Sequence, residues 1–128
     1  MHNCIDYADL MMPPMGMGKD IRDRINWLWI ALRALSSSGS QPLVLTATQA
    51  NRESMKTGTI SMTHTSEDIR KVAHVTGLIG LNQMNDEKQQ QLMRINWVAL
   101  REDANDSNKC CQVAGCFAIG NPAMCSLF

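Results

Sequence analysis

CIDYADLMM, residues 4–12, is the stretch that decides the fold. It is a short apolar run that contains an acid, Asp6, and it leads at once into a loop with prolines and glycines between residues 13 and 18. This pattern predicts a buried strand that runs into a loop. A carboxylate held at the end of such a strand is a common means of holding Mg²⁺ in nucleotide hydrolases. An acid that caps or solvates a turn is the alternative for Asp6.

A helix is predicted next, between Asp20 and a serine-rich stretch at residues 36–40. Asp20 is a favourable N-cap residue, and apolar residues recur at helical spacing from Ile21 to Leu35. The arginines of this segment lie largely off that apolar stripe. The pattern predicts an amphipathic helix with one face against a core.

The run LVLTATQ, residues 43–49, predicts a second strand that is covered on both faces, because it is apolar and free of charge. A strand, a helix and a second strand predict a right-handed βαβ crossover. Parallel strands present their carboxyl ends at the same edge of a sheet, where ligands of α/β proteins bind. We therefore expect Thr48 and Gln49 to lie close to Asp6.

The remaining segments complete a predicted α/β fold, with a mostly parallel sheet, helices packed on it and a C-terminal hairpin. Residues 51–65 are polar and show neither period clearly, which predicts a long loop that is functional or mobile. The later elements are a helix opened by Thr65 and Asp68, a short buried strand at 78–81, and two strands at 92–100 and 111–119 that form the hairpin.

Length and composition limit the classes of function. A chain of 128 residues, 45% of them hydrophobic, is long enough for one domain and too short for two. Twelve Lys and Arg balance twelve Asp and Glu, so nucleic-acid contacts have to come from local loops. No apolar stretch approaches the roughly 20 residues of a membrane span. Five cysteines without a signal peptide favour the reducing cytoplasm.

Four segments together resemble the DnaB-like branch of the RecA-type replicative DNA helicases, in the order that the family shows. The segment IDYADLM at 5–11 looks like the Walker B strand, and TATQANRE at 46–53 looks like the glutamine-containing sensor. The segment HTSEDIRKVAHVTGLIGLNQ at 64–83 resembles the next helix and strand. The segment RINWVALRED at 94–103 resembles the strand that delivers an arginine finger. The resemblance implies ATP-dependent movement along single-stranded DNA in replication, by a homo-oligomer that is expected to be a hexameric ring.

The resemblance also implies roles for individual residues at the nucleotide. Asp6 becomes the residue that organises Mg²⁺, Gln49 the sensor of the γ-phosphate, and Thr48 a neighbouring contact to ATP. Arg101 becomes an arginine finger that acts on the adjacent subunit. An ion pair with Glu102 or Asp103 is the alternative for Arg101, and Ala99 stands where family members often carry a supporting lysine.

The loops at 12–19 and 51–65 correspond to the segments that line the central channel in the resembled family. Lys19, Arg52 and Lys56 are therefore candidates for contacts to DNA phosphates, which add affinity without base specificity. Solvated loop charges are the alternative. Arg70 and Lys71, on the following helix, are expected to face solvent or a neighbouring subunit.

The sequence contains no G-x-x-x-x-G-K-[ST] loop, which such an ATPase needs to cradle the phosphates. We therefore predict that residues 1–128 form a single incomplete RecA-like core that lacks the phosphate-loop strand, and that this chain alone does not hydrolyse ATP. A RecA or RadA-type recombinase fragment and a non-catalytic binding protein derived from the fold are the alternatives. The spacing of Cys110, Cys111, Cys116 and Cys125 is unlike that of a structural zinc site.

Overall fold

The fold is known from a computed structural model, which describes residues 2–11, 16, 20–39, 42–64, 70–104, 106–116 and 121–126. These residues belong to two compact units. One unit combines residues 1–50 with 65–75, and the other combines residues 51–64 with 76–128. Within the described ranges, no helix has the length and apolar character needed to cross a membrane.

The first unit is a strand–helix–strand arrangement with an additional short helix. Its elements are β1 (His2–Ile5), a 3₁₀ turn (Ala8–Leu10), α1 (Ile21–Ser36), β2 (Leu43–Thr46) and α3 (Arg70–His74). Strands β1 and β2 pair in parallel, with Ile5 opposite Thr46. The predicted succession of strand, helix and parallel strand is confirmed. The predicted buried strand at 4–12 is wrong in extent and burial, because β1 ends at Ile5, its residues are exposed or half-buried, and a turn follows it.

Helix α1 provides most of the core of this unit. Ile25, Leu28, Trp29 and Leu32 are buried together with Ala8 of the 3₁₀ turn. The helical spacing of these residues places them on one face, so the predicted apolar stripe is confirmed in the middle of the helix. The helix begins directly after Asp20, but the Asp20 side chain makes no capping hydrogen bond.

The prediction that β2 is covered on both faces is wrong for the structure described. Val44 packs against the core, whereas Leu43 and Leu45 are 60% and 61% exposed. Successive side chains of a strand point to opposite faces, so a two-stranded sheet with one helical layer leaves every second residue uncovered. The face of β2 that carries Leu43 and Leu45 is therefore apolar, and no second layer covers it among the described residues.

The second unit is built on an antiparallel sheet. Its elements are α2 (Ser54–Thr57), a 3₁₀ turn (Met62–His64), β3 (Gly77–Asn82), α4 (Asn85–Gln89), β4 (Leu92–Leu100), β5 (Cys110–Cys116) and β6 (Asn121–Ser126). The four strands pair in the order β3–β4–β5–β6. The predicted hairpin of β4 and β5 is confirmed, with Ile95 opposite Cys111, but β6 was not predicted.

Further predictions about the sheet and the second unit are corrected by the structure. The described strands form one parallel pair and three antiparallel pairs, so the sheet is not mostly parallel. Strand β3 is buried on one face only, because Ile79 and Leu81 are at least half exposed whereas Gly80 and Asn82 are buried. The predicted 51–65 loop contains a short helix and a 3₁₀ turn. The predicted cap at Thr65 and Asp68 lies outside the described residues.

Leu28 and Leu35 allow the core of the first unit to be tested on a single helix. Leu28 is 5% exposed and Leu35 is 42% exposed. We expect Leu28→Ala to lower the free energy of unfolding by about 3 kcal/mol, since it removes buried methyl groups and leaves a cavity. The same change at Leu35 is expected to stay within about 0.5 kcal/mol of the wild type. Urea unfolding of both variants checks this, and equal losses would contradict the assignment of the core.

Candidate functional site

The carboxyl ends of β1 and β2 lie side by side and are tied together by Thr46. The Thr46 hydroxyl donates a hydrogen bond to the Ile5 carbonyl at 2.9 Å and accepts one from the Ala8 backbone N–H at 2.9 Å. We call residues 6–9 and 47–49, which follow the two strands, the carboxyl edge. The predicted neighbourhood of the two strand ends is confirmed by this pairing.

Asp6 and Gln49 are both exposed at the carboxyl edge. The Gln49 side-chain nitrogen, Nε2, donates a hydrogen bond to the hydroxyl of Tyr7, the residue that follows Asp6, at 3.1 Å. The carboxylate of Asp6 has no hydrogen bond or ion pair among the described residues. The solvent-facing carboxylate of Asp6 is therefore next in sequence to Tyr7, whose side chain joins the two strand ends through Gln49.

A second acid, Asp9, is the centre of a more buried cluster at the same edge. The Lys71 ammonium donates to Asp9 Oδ2 at 2.8 Å and to the Thr48 hydroxyl at 3.0 Å. The Thr48 hydroxyl donates to Asp9 Oδ2 at 2.6 Å, and the indole N–H of Trp29 donates to Asp9 Oδ1 at 3.2 Å. We call these four residues the Asp9 cluster. It joins both strand ends to α1 and α3.

Lys71 is 2% exposed, so the expectation that it faces solvent or a neighbouring subunit is wrong. Its ammonium also lies 5.9 Å from the centroid of the Trp29 ring, within the range of a cation–π contact. Burial of a lysine is tolerated only when its charge is paired and its donors are used, and Asp9 with Thr48 meets both requirements. The neighbouring Arg70 is exposed and lies 3.9 Å from Asp23.

The charge state of Asp9 follows from these contacts. Partial burial raises the pKa of Asp9, but the hydrogen bonds from Lys71 and Thr48 and the positive charge of Lys71 outweigh burial and hold the pKa below its ordinary value. Asp9 is thus a carboxylate at neutral pH, and its charge is compensated by Lys71. Both of its oxygens are engaged by side chains.

The carboxyl edge therefore divides into a structural part and an open part. The Thr48 hydroxyl proton is used on Asp9, so Thr48 belongs to the internal cluster. Asp6 and Gln49 are the predicted site residues that remain open to a ligand. A hard cation such as Mg²⁺ is typically held by one or two carboxylates together with phosphate oxygens and waters, and a solvent-facing carboxylate fits that pattern better than a paired one.

The other predicted site residues lie in the second unit or outside the described residues. Arg101 directly follows β4 and is exposed, and its backbone N–H donates to the Thr76 carbonyl at 2.9 Å. Arg52 and Lys56 are exposed on the 51–64 segment, with the exposed acid Glu53 between them. Lys19 lies outside the described residues.

The Asp9 cluster was not predicted from the sequence. Asp9 belongs to the same run as Asp6, and a second acid three residues after the first was the available signal. Lys71 gave no signal, because 62 residues separate it from Asp9 and its helix has only a modest apolar stripe.

Among the described residues, no three His, Cys, Asp or Glu side chains are grouped as metal ligands. Comparison with known protein families and with curated protein sequences finds no match.

Replacing Lys71 by methionine tests the Asp9 cluster. The change leaves Asp9 partly buried without its cation, which is expected to lower the free energy of unfolding by about 3 kcal/mol at neutral pH. Lys88→Met, at an exposed position of α4, is the matched control and is expected to change stability by less than about 0.5 kcal/mol. Urea unfolding at pH 7 measures both variants, and a Lys71→Met protein as stable as the control would contradict a structural role for the ion pair.

Stability against pH provides an independent test of the same pair. Because the pKa of Asp9 is lowered in the folded state, its contribution is fully present above the unfolded value of about 4 and is lost as the pH falls through the folded value. We expect Lys71→Met to lose less stability than the wild type over this acidic range. Parallel loss in the two proteins would show that Lys71 does not set the pKa of Asp9.

Proposed function

We propose that this chain forms part of an ATP-driven DNA helicase motor of the DnaB-like kind, which moves along single-stranded DNA during replication in the cytoplasm. The observation that carries the proposal is the parallel pairing of β1 and β2, which brings the ends of the Asp6 and Gln49 segments to one edge. Ligands of open α/β sheets bind outside the carboxyl ends of the strands. Of the three residues at that edge that the resemblance assigns to the nucleotide, Asp6 and Gln49 are left open, whereas the Thr48 hydroxyl is bonded to Asp9.

In the proposed motor, Asp6 organises Mg²⁺ on the phosphates of ATP. Its carboxylate faces solvent, whereas Asp9 is neutralised by Lys71, so each of the two acids has a separate task. The Asp9 cluster fixes the loop after β1 and thereby limits the positions available to Asp6. ATP and Mg²⁺ are the proposed ligands, with the phosphates bound by a phosphate loop that this sequence does not contain.

Two features of the sheet support the presence of a further segment beside β2 in the working motor. Among the described residues, β1 is the strand that pairs with β2 along residues 43–46, and no described strand pairs with the other edge of β2. Leu43 and Leu45 present an exposed apolar face. Parallel sheets are normally covered on both faces, so additional strands and helices are needed to complete such a core.

Gln49 and Arg101 are proposed to respond to the γ-phosphate from the two sides of a subunit interface. The Gln49 amide nitrogen is held by Tyr7, and its oxygen accepts no hydrogen bond from a described residue. Such an oxygen can accept from a nucleophilic water. Arg101, at the exposed end of β4, is proposed to act on the nucleotide of the next subunit in a homo-oligomer, with a hexameric ring as the expected assembly.

Asp6→Asn tests the Mg²⁺ assignment in a polypeptide that joins this chain to its phosphate-loop segment. Mutation of a residue that only orients a metal ligand typically lowers activity by about 10- to 100-fold. Loss of a direct ligand is therefore expected to reduce Mg²⁺-dependent ATP turnover by more than about 100-fold. Asp20→Asn, at another exposed acid, is the control and keeps normal turnover. Normal turnover by Asp6→Asn would remove Asp6 from its assigned role.

Single-stranded DNA binding can be tested on the chain itself. In Arg52→Ala/Lys56→Ala we expect weaker binding of a labelled oligo-dT and a salt dependence that falls by about 1.4 in log–log slope, because roughly 0.7 is lost with each phosphate contact on a single strand. Arg22→Ala/Lys88→Ala removes the same charge from other exposed positions and serves as control. Fluorescence anisotropy between low and physiological salt measures both, and equal slopes in the two double variants would contradict the DNA assignment.

A further inference from the structure

The 51–64 segment is fixed to the antiparallel sheet by two buried asparagines. Asn82 of β3 and Asn96 of β4 are 4% and 3% exposed. Asn82 Oδ1 accepts the backbone N–H of Ile60 at 2.6 Å, and Asn96 Nδ2 donates to the Ile60 carbonyl at 3.0 Å. The two side chains are joined to each other by Asn82 Nδ2, which donates to Asn96 Oδ1 at 2.8 Å. We call Asn82 and Asn96 the amide pair.

The amide pair satisfies both backbone polar groups of Ile60. In an ordinary sheet a neighbouring strand provides these bonds, but here side chains of the sheet provide them to a segment that crosses its face. Gly80 makes this close approach possible, since a Cβ at that position would lie 2.4 Å from Asn96 Oδ1 and 3.3 Å from Ile60 Cβ. Buried amides with satisfied donors and acceptors specify one arrangement, because breaking any of the hydrogen bonds leaves a buried polar group without a partner.

Arg94 forms a second attachment close to the first. Its guanidinium donates to both carboxylate oxygens of Glu87 and, on the other side, to the Gly58 carbonyl at 2.8 Å and the Thr59 hydroxyl at 3.1 Å. Glu87 itself accepts the Met84 backbone N–H at 2.7 Å. Gly58 adopts a φ of 70°, a left-handed conformation that glycine tolerates, so the chain can turn back towards Arg94 after α2.

These attachments hold the part of the segment that directly follows the two proposed DNA-contacting residues. Arg52 lies just before α2 and Lys56 lies on α2, so both precede Gly58, and both are exposed. A loop that is ordered before binding does not have to lose its conformational freedom on the DNA, which raises affinity without adding a contact. A residue that orders such a segment can therefore raise its affinity for DNA without touching the DNA.

We propose that Arg94 and the amide pair are positioning residues that hold the 51–64 segment in a preformed arrangement for single-stranded DNA. The inference rests on the proposed function, because it takes Arg52 and Lys56 as the residues that meet phosphate. It goes further in assigning a role in DNA affinity to three residues of the sheet that lie outside the proposed contact surface.

Arg94→Lys tests the proposal without changing the net charge. A lysine keeps the cation but lacks the planar fork that reaches Glu87 and the 51–64 segment together. Hydrogen exchange at the Ile60 N–H is expected to become faster, and affinity for oligo-dT is expected to fall about three- to tenfold, which corresponds to ordering roughly one further side chain on binding. The salt slope is expected to stay at the wild-type value, since Arg52 and Lys56 remain.

Two further variants separate the possible outcomes. Arg22→Lys, the same change at an exposed position of α1, is the control and should alter neither exchange nor affinity. Thr59→Ala removes only one of the bonds of Arg94 and should give a smaller effect of the same sign, which keeps the test informative if Arg94→Lys does not fold.

Faster exchange with unchanged DNA affinity in Arg94→Lys or Thr59→Ala would overturn the positioning role. Unchanged exchange in both variants would overturn the attachment itself. If Arg52→Ala/Lys56→Ala also leaves DNA binding unchanged, the proposed DNA contact fails, and the positioning inference fails with it. A loss in Arg52→Ala/Lys56→Ala combined with unaltered affinity in Arg94→Lys would reject only the positioning inference.

Discussion

The ion pair of Asp9 and Lys71 is the constraint on which the arrangement of the first unit depends. The two residues are 62 positions apart, and their contact at 2.8 Å fixes the turn after β1 against α3. Thr48 brings the end of β2 into the same cluster, and Trp29 brings α1. Because Lys71 is almost fully buried, its charge has to be compensated, so the cluster specifies one mutual position for four segments. The positions of Asp6 and Gln49 at the carboxyl edge follow from this arrangement of the four segments.

The second unit achieves a comparable result with neutral groups. Asn82 and Asn96 lie on the face of an antiparallel sheet where apolar residues usually pack, and they hold the backbone of Ile60. A polar attachment of this kind contributes less hydrophobic free energy than leucine would, but it accepts only one register of the crossing segment. In both units, buried polar contacts determine where the exposed charged residues lie.

The local pattern of the sequence predicted the helix α1 and the hairpin of β4 and β5. The stripe from Ile25 to Leu32 was predicted because its helical period reflects a single covered face, and the hairpin was predicted because a polar stretch joins two β-like runs. The pairing of β3 with β4 and the buried state of Lys71 were not predicted, because both depend on partners distant in sequence. The exposure of Leu43 and Leu45 was also missed, since an uncharged apolar run does not show whether a second layer is present.

In the proposed function, the carboxyl edge binds a metal–nucleotide complex through Asp6, and this binding can be measured directly. Mn²⁺ replaces Mg²⁺ at sites made of oxygen ligands and broadens nearby amide resonances, so addition of Mn²⁺ and ATP to the ¹⁵N-labelled chain measures this binding even when it is weak. We expect broadening centred on residues 6–8 and 48–50 that disappears in Asp6→Asn while the Asp9 cluster stays intact. Broadening centred on another part of the chain, or of equal strength in Asp6→Asn, would contradict it.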